Sequence, residues 1–141
     1  MLEFPGMNPI TEIPECLSMI ICDDVYRDER TKKTVLVGAF STINTPSFPC
    51  LHPRMVAFFT LTNGRGECEL SLKVDHEQTG ATLLEMKGPL NLTNPLDIVD
   101  FHVELVGLRF PGPGKYWILL AVDGEIIKQR PFLVRKVGNE E

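Results

Sequence analysis

The chain has 141 residues, of which 43% are hydrophobic and 23% are charged, and its formal net charge is −5 at pH 7. This length is typical of one domain that buries a sizeable core without disulfides or structural metals. The acidic balance provides no basic stripe for a phosphate backbone, so the sequence predicts that nucleic acid is not a partner. No run of about 18 apolar residues occurs, which argues against a membrane-spanning helix and a membrane partner.

Residues 1–16 are predicted to form an N-terminal arm, either loose or laid across the body. Pro5, Pro9 and Pro14 interrupt any regular element in this segment. No lysine or arginine precedes its apolar part, so the positive region of a secretory signal is missing. We therefore expect a cytoplasmic protein.

The four cysteines have no CxxC spacing. They are Cys16, Cys22, Cys50 and Cys68. In a reducing compartment we expect free thiols that behave as small buried hydrophobes. Cys50 and His52 stand two residues apart, but a closed zinc site needs four ligands in paired spacings. The sequence therefore predicts neither a metal nor another cofactor.

Apolar residues recur with a period of two, which is typical of half-buried antiparallel strands. The pattern is clearest in ECELSLKVD (67–75) and repeats in DFHVEL (100–105). After Leu105 the apolar set changes phase, and Gly107 stands at the change. A glycine at such a position predicts a β-bulge or a strand that passes between sheets.

The remaining strands are predicted from β-rich runs between breakers. They lie near Leu17–Cys22, Thr34–Ile43, Met55–Thr62, Thr82–Met86, Lys115–Val122 and Glu125–Val134. Asn63-Gly64 and Asp123-Gly124 are dipeptides that tight hairpin turns favour. No ten residues carry a convincing helical stripe. We predict an all-β fold, an immunoglobulin-like antiparallel β-sandwich of about 7–9 strands over residues 17–135, followed by a frayed tail at 136–141.

Charged residues are concentrated in CDDVYRDERTKKTVLVG (22–38), between two predicted strands. One interpretation is a solvated turn with local ion pairs. The other is a site for a hard cation, because carboxylates are suitable ligands, although the loop lacks the EF-hand glycine and carries competing basic residues. We interpret residues 23–33 as an exposed mixed-charge loop that, if functional, binds a protein. The predicted partner-binding residues are Asp23, Asp24, Tyr26, Arg27, Asp28 and Arg30.

The sequence predicts no catalytic residue and no enzymatic activity. A Cys–His pair acts as a nucleophile when the imidazole reaches the thiol, but Cys50 and His52 have no evident third, orienting group. The GxSxG motif is absent, and GPGK (112–115) lacks the spacing of a phosphate-binding loop. An enzyme that uses Cys50 and His52 stays the third alternative.

Two predicted strands are apolar at both phases, MVAFFTL (55–61) and YWILLAV (116–122). A strand that is buried on both faces needs a cover on its outer side. The N-terminal arm or a second subunit could supply that cover, so a homodimer is one predicted form of self-association.

Four segments resemble blocks of a family of small bacterial proteins described as a domain of unknown function. The segments are ICDDVYRDERTKKTVLVGAF (21–40), PSFPCLHPRM (46–55), LTNGRGECELSLKV (61–74) and RFPGPGKYWILLAVDGEIIKQRPFLV (109–134). The resemblance covers residues 17–135, and its last block is also similar to the closing hairpin of immunoglobulin-like sandwiches. It implies the sandwich and brings no activity, so no catalytic residue is carried over.

These observations lead to a non-enzymatic protein–protein interaction or assembly module. The predicted partner is another protein or a second copy of the chain. A small-ligand or metal-binding domain that uses the 23–33 loop is the alternative.

Overall fold

The computed structural model describes residues 12–138. Within this range the chain forms nine β-strands and no α-helix. They are β1 (Glu15–Arg27), β2 (Thr34–Ala39), β3 (Thr42–Thr45), β4 (Cys50–Thr62), β5 (Gly66–His76), β6 (Thr82–Leu92), β7 (Ile98–Phe110), β8 (Gly114–Val122) and β9 (Glu125–Lys136). The predicted all-β class is therefore confirmed.

The strands form two sheets, with the orders β2-β1-β4-β7 and β3-β9-β8-β5-β6. Neighbouring strands are antiparallel except for β3, which runs parallel to β9. Both sheets contribute to one core, with Phe59 and Phe110 from the first sheet and Tyr116 and Phe132 from the second. The Phe110 and Tyr116 rings meet edge to face, with centroids 4.9 Å apart.

The predicted strand Thr34–Ile43 is two strands, because the chain passes from one sheet to the other near Phe40. β2 pairs with β1 in the first sheet, whereas β3 pairs with β9 in the second. Gly38 has a left-handed φ of 68°, which few other residues adopt readily. This crossing brings the ends of β1, β2 and β4 next to β3.

The phase change at Gly107 occurs without a change of register. Gly107 has a φ of 70°, and Leu105 and Leu108 on either side of it are both buried. Pairing with β4 nevertheless continues past this point to Cys50 and His52. Both strands change their inward face together, so the prediction of a bulge or of a strand between sheets is wrong. The start of β4 thereby packs Cys50 against the core.

The two glycine-containing turns have different roles. Asp123 and Gly124 both have positive φ and close the β8–β9 hairpin as predicted. Asn63-Gly64 instead links β4 to β5, which belong to different sheets. The backbone amide of Asn63 donates to the carbonyl oxygen of Pro95 at 3.0 Å, which anchors the crossing to the β6–β7 connection. The hairpin prediction is therefore wrong at this position.

The predicted arm falls partly outside the described residues, because residues 1–11 lie beyond them. Glu12 forms an antiparallel bridge with Arg65, and β1 already begins at Glu15. At the other end β9 extends to Lys136. Cys16, Cys22, Cys50 and Cys68 are all free thiols. Across residues 12–138, no helix has the length and apolar character needed to cross a membrane.

Candidate functional site

The first part of the predicted 23–33 loop is strand. β1 continues to Arg27, whose pairing with Thr34 opens β2. Asp23, Asp24 and Arg27 therefore lie on β1, and only residues 28–33 form the turn. Successive side chains of a strand point to opposite faces, so the charges of this segment are divided between different surroundings.

The turn at residues 28–33 is organised by Asp28. Its Oδ1 accepts hydrogen bonds from the amides of Arg30 at 2.8 Å and Thr31 at 3.0 Å. These amides, with that of Thr31 contributing most, lower the pKa of the Asp28 carboxyl. The backbone of Asp28 also bonds with Lys32 and Lys33 at 2.8 Å. Asp28 is thus used by the turn itself.

Asp24 belongs to a clasp across three strands of the first sheet. Arg54 of β4 donates to the Asp24 carboxylate at 3.1 Å and to the Glu104 carboxylate of β7 at 2.9 Å. Its other terminal nitrogen donates to the carbonyl oxygen of Asp23 at 2.8 Å. The pKa of Asp24 is lowered, first by the Val25 amide and then by Arg54. The sequence does not reveal this clasp, a network of ion pairs, because only strand register brings Arg54 and Glu104 together.

The other predicted partner-binding residues are exposed. Tyr26 is 54% exposed near the end of β1, and Arg27 and Arg30 are exposed beside it. They form the surface of the β1–β2 hairpin.

Asp23 has surroundings different from those of Asp24. Its side chain lies directly against Gly38, where an added Cβ would collide with Oδ2 of Asp23. Within residues 12–138 its carboxylate makes no hydrogen bond or ion pair. The exposed Asp23 is one of the residues that line a cavity.

This cavity, which we call the β1–β4 cavity, has a volume of about 540 Å³. It is lined by Asp23 of β1, by Gly38, Ala39 and Phe40 at the end of β2, by Thr42, Ile43, Asn44 and Thr45 of β3, and by Cys50, Leu51 and His52 of β4. Pockets for small molecules commonly measure about 300–1,000 Å³ and combine apolar walls with a few polar groups. The β1–β4 cavity lies within this range of volumes, but it is widely open to solvent and its lining is about as polar as apolar.

His52 is the second polar group of the cavity with an unusual environment. Its Nε2 is buried and finds no hydrogen-bond partner among the described residues. Its ring is tilted against that of Phe40, with centroids 6.0 Å apart. Burial lowers the pKa of His52, and the nearby Asp23 carboxylate opposes that effect. Since burial dominates, the neutral form of the imidazole is favoured.

The structure brings Cys50, His52 and Asp23 to the same cavity. Asp23 is the third polar group that the sequence did not reveal, because it lies far away along the chain. No hydrogen bond joins the Cys50 thiol to His52 in the described part of the chain. Between Glu12 and Gly138, no group of three or more His, Cys, Asp or Glu side chains is placed to hold a metal ion.

His76 is a second buried histidine, and it lies in a closed environment. Its Nδ1 lies 3.1 Å from Oγ1 of Thr79, and its ring stacks on Tyr116 at 4.4 Å. Nε2 of His76 also lacks a partner among the described residues, but a Cβ added at Gly114 would lie 3.4 Å from it. The Nε2 atom of His76 therefore lies against packed neighbours, whereas His52 lines a cavity.

The chain belongs to a family of unknown function, DUF6941, whose model matches residues 17–135. The resemblance of these residues to a family of unknown function is thereby confirmed. None of the curated proteins matches the chain.

One similar solved structure is "Pseudomonas fluorescens alkylpurine DNA glycosylase AlkC bound to DNA containing an abasic site analog". The match has 19% sequence identity and a TM-score of 0.51, and it covers 67% of this chain. It covers 27% of the AlkC chain, so the present chain corresponds to a small part of that protein. At this identity the likeness concerns the fold.

The AlkC structure corrects the predicted set of partners, which was limited to proteins and excluded nucleic acid. AlkC, part of whose chain resembles this fold, is bound to DNA in that structure. The exclusion of nucleic acid was argued from the net charge of −5, but this charge describes the whole chain. Binding depends on the local potential at one surface, which a total charge does not report.

Proposed function

We propose that this protein is a binding module rather than an enzyme, and that the β1–β4 cavity holds a small molecule. One observation carries the proposal. The buried Nε2 of His52, which lines the cavity, has no hydrogen-bond partner among the described residues, and the exposed carboxylate of Asp23, which lines the same cavity, makes no hydrogen bond with them.

The energetic argument starts from the imidazole of His52. A buried polar atom without a partner costs about 1–3 kcal/mol. Folded proteins rarely keep such atoms, and a functional role is one explanation for those that remain. A ligand that bonds to Nε2 of His52 would remove that cost, and it would also reach the exposed carboxylate of Asp23. Phe40, Ile43 and Leu51 would contact its apolar part.

A pair of matched variants tests the proposal. Leu51 lines the cavity and is 55% exposed, whereas Leu96 is 85% exposed elsewhere. We expect Leu51→Trp to fill the cavity and Leu96→Trp to leave it open, with both proteins folded. A panel of small aromatic amines, alcohols and carboxylates would be screened by ¹H–¹⁵N NMR.

The proposal predicts that at least one compound shifts the amide signals of Gly38 and His52, and that Leu51→Trp alone abolishes the shifts. It is wrong if no compound shifts these signals at millimolar concentration. It is also wrong if Leu51→Trp binds as well as Leu96→Trp does.

We also propose that the fold is immunoglobulin-like. The five-stranded sheet order β3-β9-β8-β5-β6 and the pairing of β4 with β7 fit the distribution of strands in such domains. Tyr116, near the start of β8, donates from its hydroxyl to the carbonyl oxygen of Gly112 at 2.6 Å. A tyrosine bonded to the upstream backbone at the corresponding corner recurs in these domains.

The compartment that we propose is the cytoplasm. The four cysteines are free thiols. Cys16 and Cys68 are only partly buried. Thiols with some access to solvent persist most readily in a reducing environment.

Protein–protein interaction through the β1–β2 hairpin is the second candidate function. It is favoured by the exposed ring of Tyr26, flanked by Arg27, since tyrosine and arginine are enriched in interfaces. The test is native mass spectrometry of the protein isolated gently from its own source. We expect a second polypeptide in fixed ratio that Arg27→Ala with Arg30→Ala removes at an unchanged melting temperature. A partner retained by that double variant would contradict the role of the hairpin.

A further inference from the structure

We infer that the β1–β4 cavity selects a protonated amine carried on an apolar body. The inference rests on the proposed binding function and adds the chemical class of the ligand. It follows from the charge, the walls and the unpaired polar groups of the cavity.

The charge of the cavity is negative. Asp23 is an acidic side chain among the lining residues, and they include no lysine or arginine. The nearby guanidinium of Arg54 does not compensate for Asp23, because it pairs with the carboxylates of Asp24 and Glu104. A cationic ligand would therefore gain a charge-assisted hydrogen bond at Asp23. An anionic ligand would meet repulsion there.

The walls of the cavity suit an apolar body. The side chains of Phe40, Ile43 and Leu51 line it, and Leu51 is half exposed. The face of an aromatic ring such as that of Phe40 also attracts an ammonium group. An amine on an aromatic or aliphatic frame would use both kinds of contact, whereas a small hydrated cation would leave the apolar walls unused.

The imidazole of His52 adds a second polar contact. Its buried Nε2 has no partner among the described residues. A neutral imidazole offers one donor and one acceptor, so it does not repel an ammonium group as a histidinium would. Chelation of a metal ion fits the cavity poorly, since the described part of the chain places no three suitable ligands together.

Three indoles of similar size separate charge from shape. Tryptamine is cationic at pH 7, tryptophol is neutral and indole-3-propionate is anionic. We expect tryptamine to bind about tenfold more tightly than tryptophol, which is the effect of one modest charge-assisted contact. Indole-3-propionate should bind more weakly than either. Dissociation constants would be measured by NMR titration.

Asp23→Asn and Asp24→Asn form the matched pair of variants, since each removes one negative charge from neighbouring positions of β1. Asp23→Asn should abolish the preference for tryptamine over tryptophol. Asp24→Asn should retain it, because Asp24 faces Arg54 rather than the cavity. Melting curves of both variants would establish that they fold.

Each outcome decides something. A preference that survives in Asp23→Asn, or tryptophol that binds as tightly as tryptamine, would overturn the inference and leave the binding function intact. Failure of all three indoles to bind would overturn the inference, and it would count against the proposed function only if the wider panel of compounds also failed.

Discussion

The turn at residues 28–33 and the β1–β4 cavity both contain an aspartate from the same charged segment, and they treat it in opposite ways. Asp28 accepts two backbone hydrogen bonds and thereby shapes the turn. Asp23 accepts none within the described residues and lines the cavity beside His52. A segment rich in charged residues therefore indicates that the segment is exposed to solvent. A candidate binding group is recognised by the partners that the fold does not supply.

The same contrast separates two adjacent residues. Asp24 is held by Arg54 on the face of the first sheet, whereas Asp23 lies against Gly38. Alternation along a strand sends neighbouring side chains to opposite faces. Chemical identity and position in the sequence therefore do not distinguish these two carboxylates, but their surroundings do.

Gly38→Ala should have the largest effect, because it should lower both the stability of the protein and its binding of tryptamine. A side chain at a φ of 68° is strained, and the new Cβ would also displace the carboxylate of Asp23. We expect a loss of about 2 kcal/mol in the free energy of unfolding, of which backbone strain supplies about half. Tryptamine binding should be lost as well. Urea denaturation and NMR titration measure the two effects.

Gly80→Ala is the matched control. Gly80 has a φ of 74°, and a Cβ added there would meet no atom within 4 Å. It should show the strain alone, at about 1 kcal/mol, with unchanged binding. Equal losses of stability in the two variants would show that the Asp23 carboxylate does not rest against Gly38.

Tyr116→Phe should have the next largest effect. It removes the hydrogen bond to Gly112 while keeping the aromatic packing, so we expect a loss of about 1 kcal/mol. The exposed Tyr26 provides the control, since Tyr26→Phe should leave stability unchanged. Both variants should bind the indoles normally. An undiminished melting temperature for Tyr116→Phe would contradict the proposed structural role of this corner.

Asp28→Ala and Asp23→Ala should dissociate stability from binding. Asp28→Ala removes the acceptor of two amides and should lower the melting temperature without affecting tryptamine. Asp23→Ala removes no hydrogen bond and should weaken tryptamine binding while the melting temperature stays the same. Differential scanning calorimetry with and without tryptamine would measure both quantities. The reverse pattern would invalidate the distinction between the two aspartates.

The smallest expected effect is a pH dependence that originates at His52. The pKa of His52 in the folded protein lies below the usual 6.5. At pH values between these two pKa values, the unfolded chain therefore binds more protons than the folded protein does. Stability is therefore full above about pH 6.5 and decreases as the pH falls towards the folded pKa. The decrease between about pH 8 and pH 5.5 should be smaller in His52→Gln than in the wild type. An identical decrease in urea denaturation would contradict this origin.

Much of the fold could be predicted from local patterns. Alternation in 67–75 and 100–105 gave the correct faces, and Asp123-Gly124 closes a hairpin because its dihedral angles suit that turn. The continuous register at Gly107 could not be predicted, because it requires β4 to change its face at the same level. The Asn63-Gly64 link resembles a hairpin locally and is a crossing only in the context of both sheets.

The set of residues that meet in the cavity could be predicted even less well than the fold. Cys50 and His52 stand close together in the sequence, but their third neighbour, Asp23, is brought in by the pairing of β1 with β4 and by the crossing near Phe40. Residue types alone do not reveal such a meeting. The charge cluster was visible in the sequence, whereas the division of its carboxylates between turn, clasp and cavity depends on strand register.

The most direct test of ligand binding in the β1–β4 cavity is a ¹H–¹⁵N NMR titration of the wild-type protein with tryptamine. We expect the amide signals of Gly38, Phe40 and His52 to shift progressively to saturation, while those of Arg30 and Thr31 in the turn stay in place. Shifts confined to the turn, or no shift at the three cavity residues, would contradict binding of an amine in the cavity.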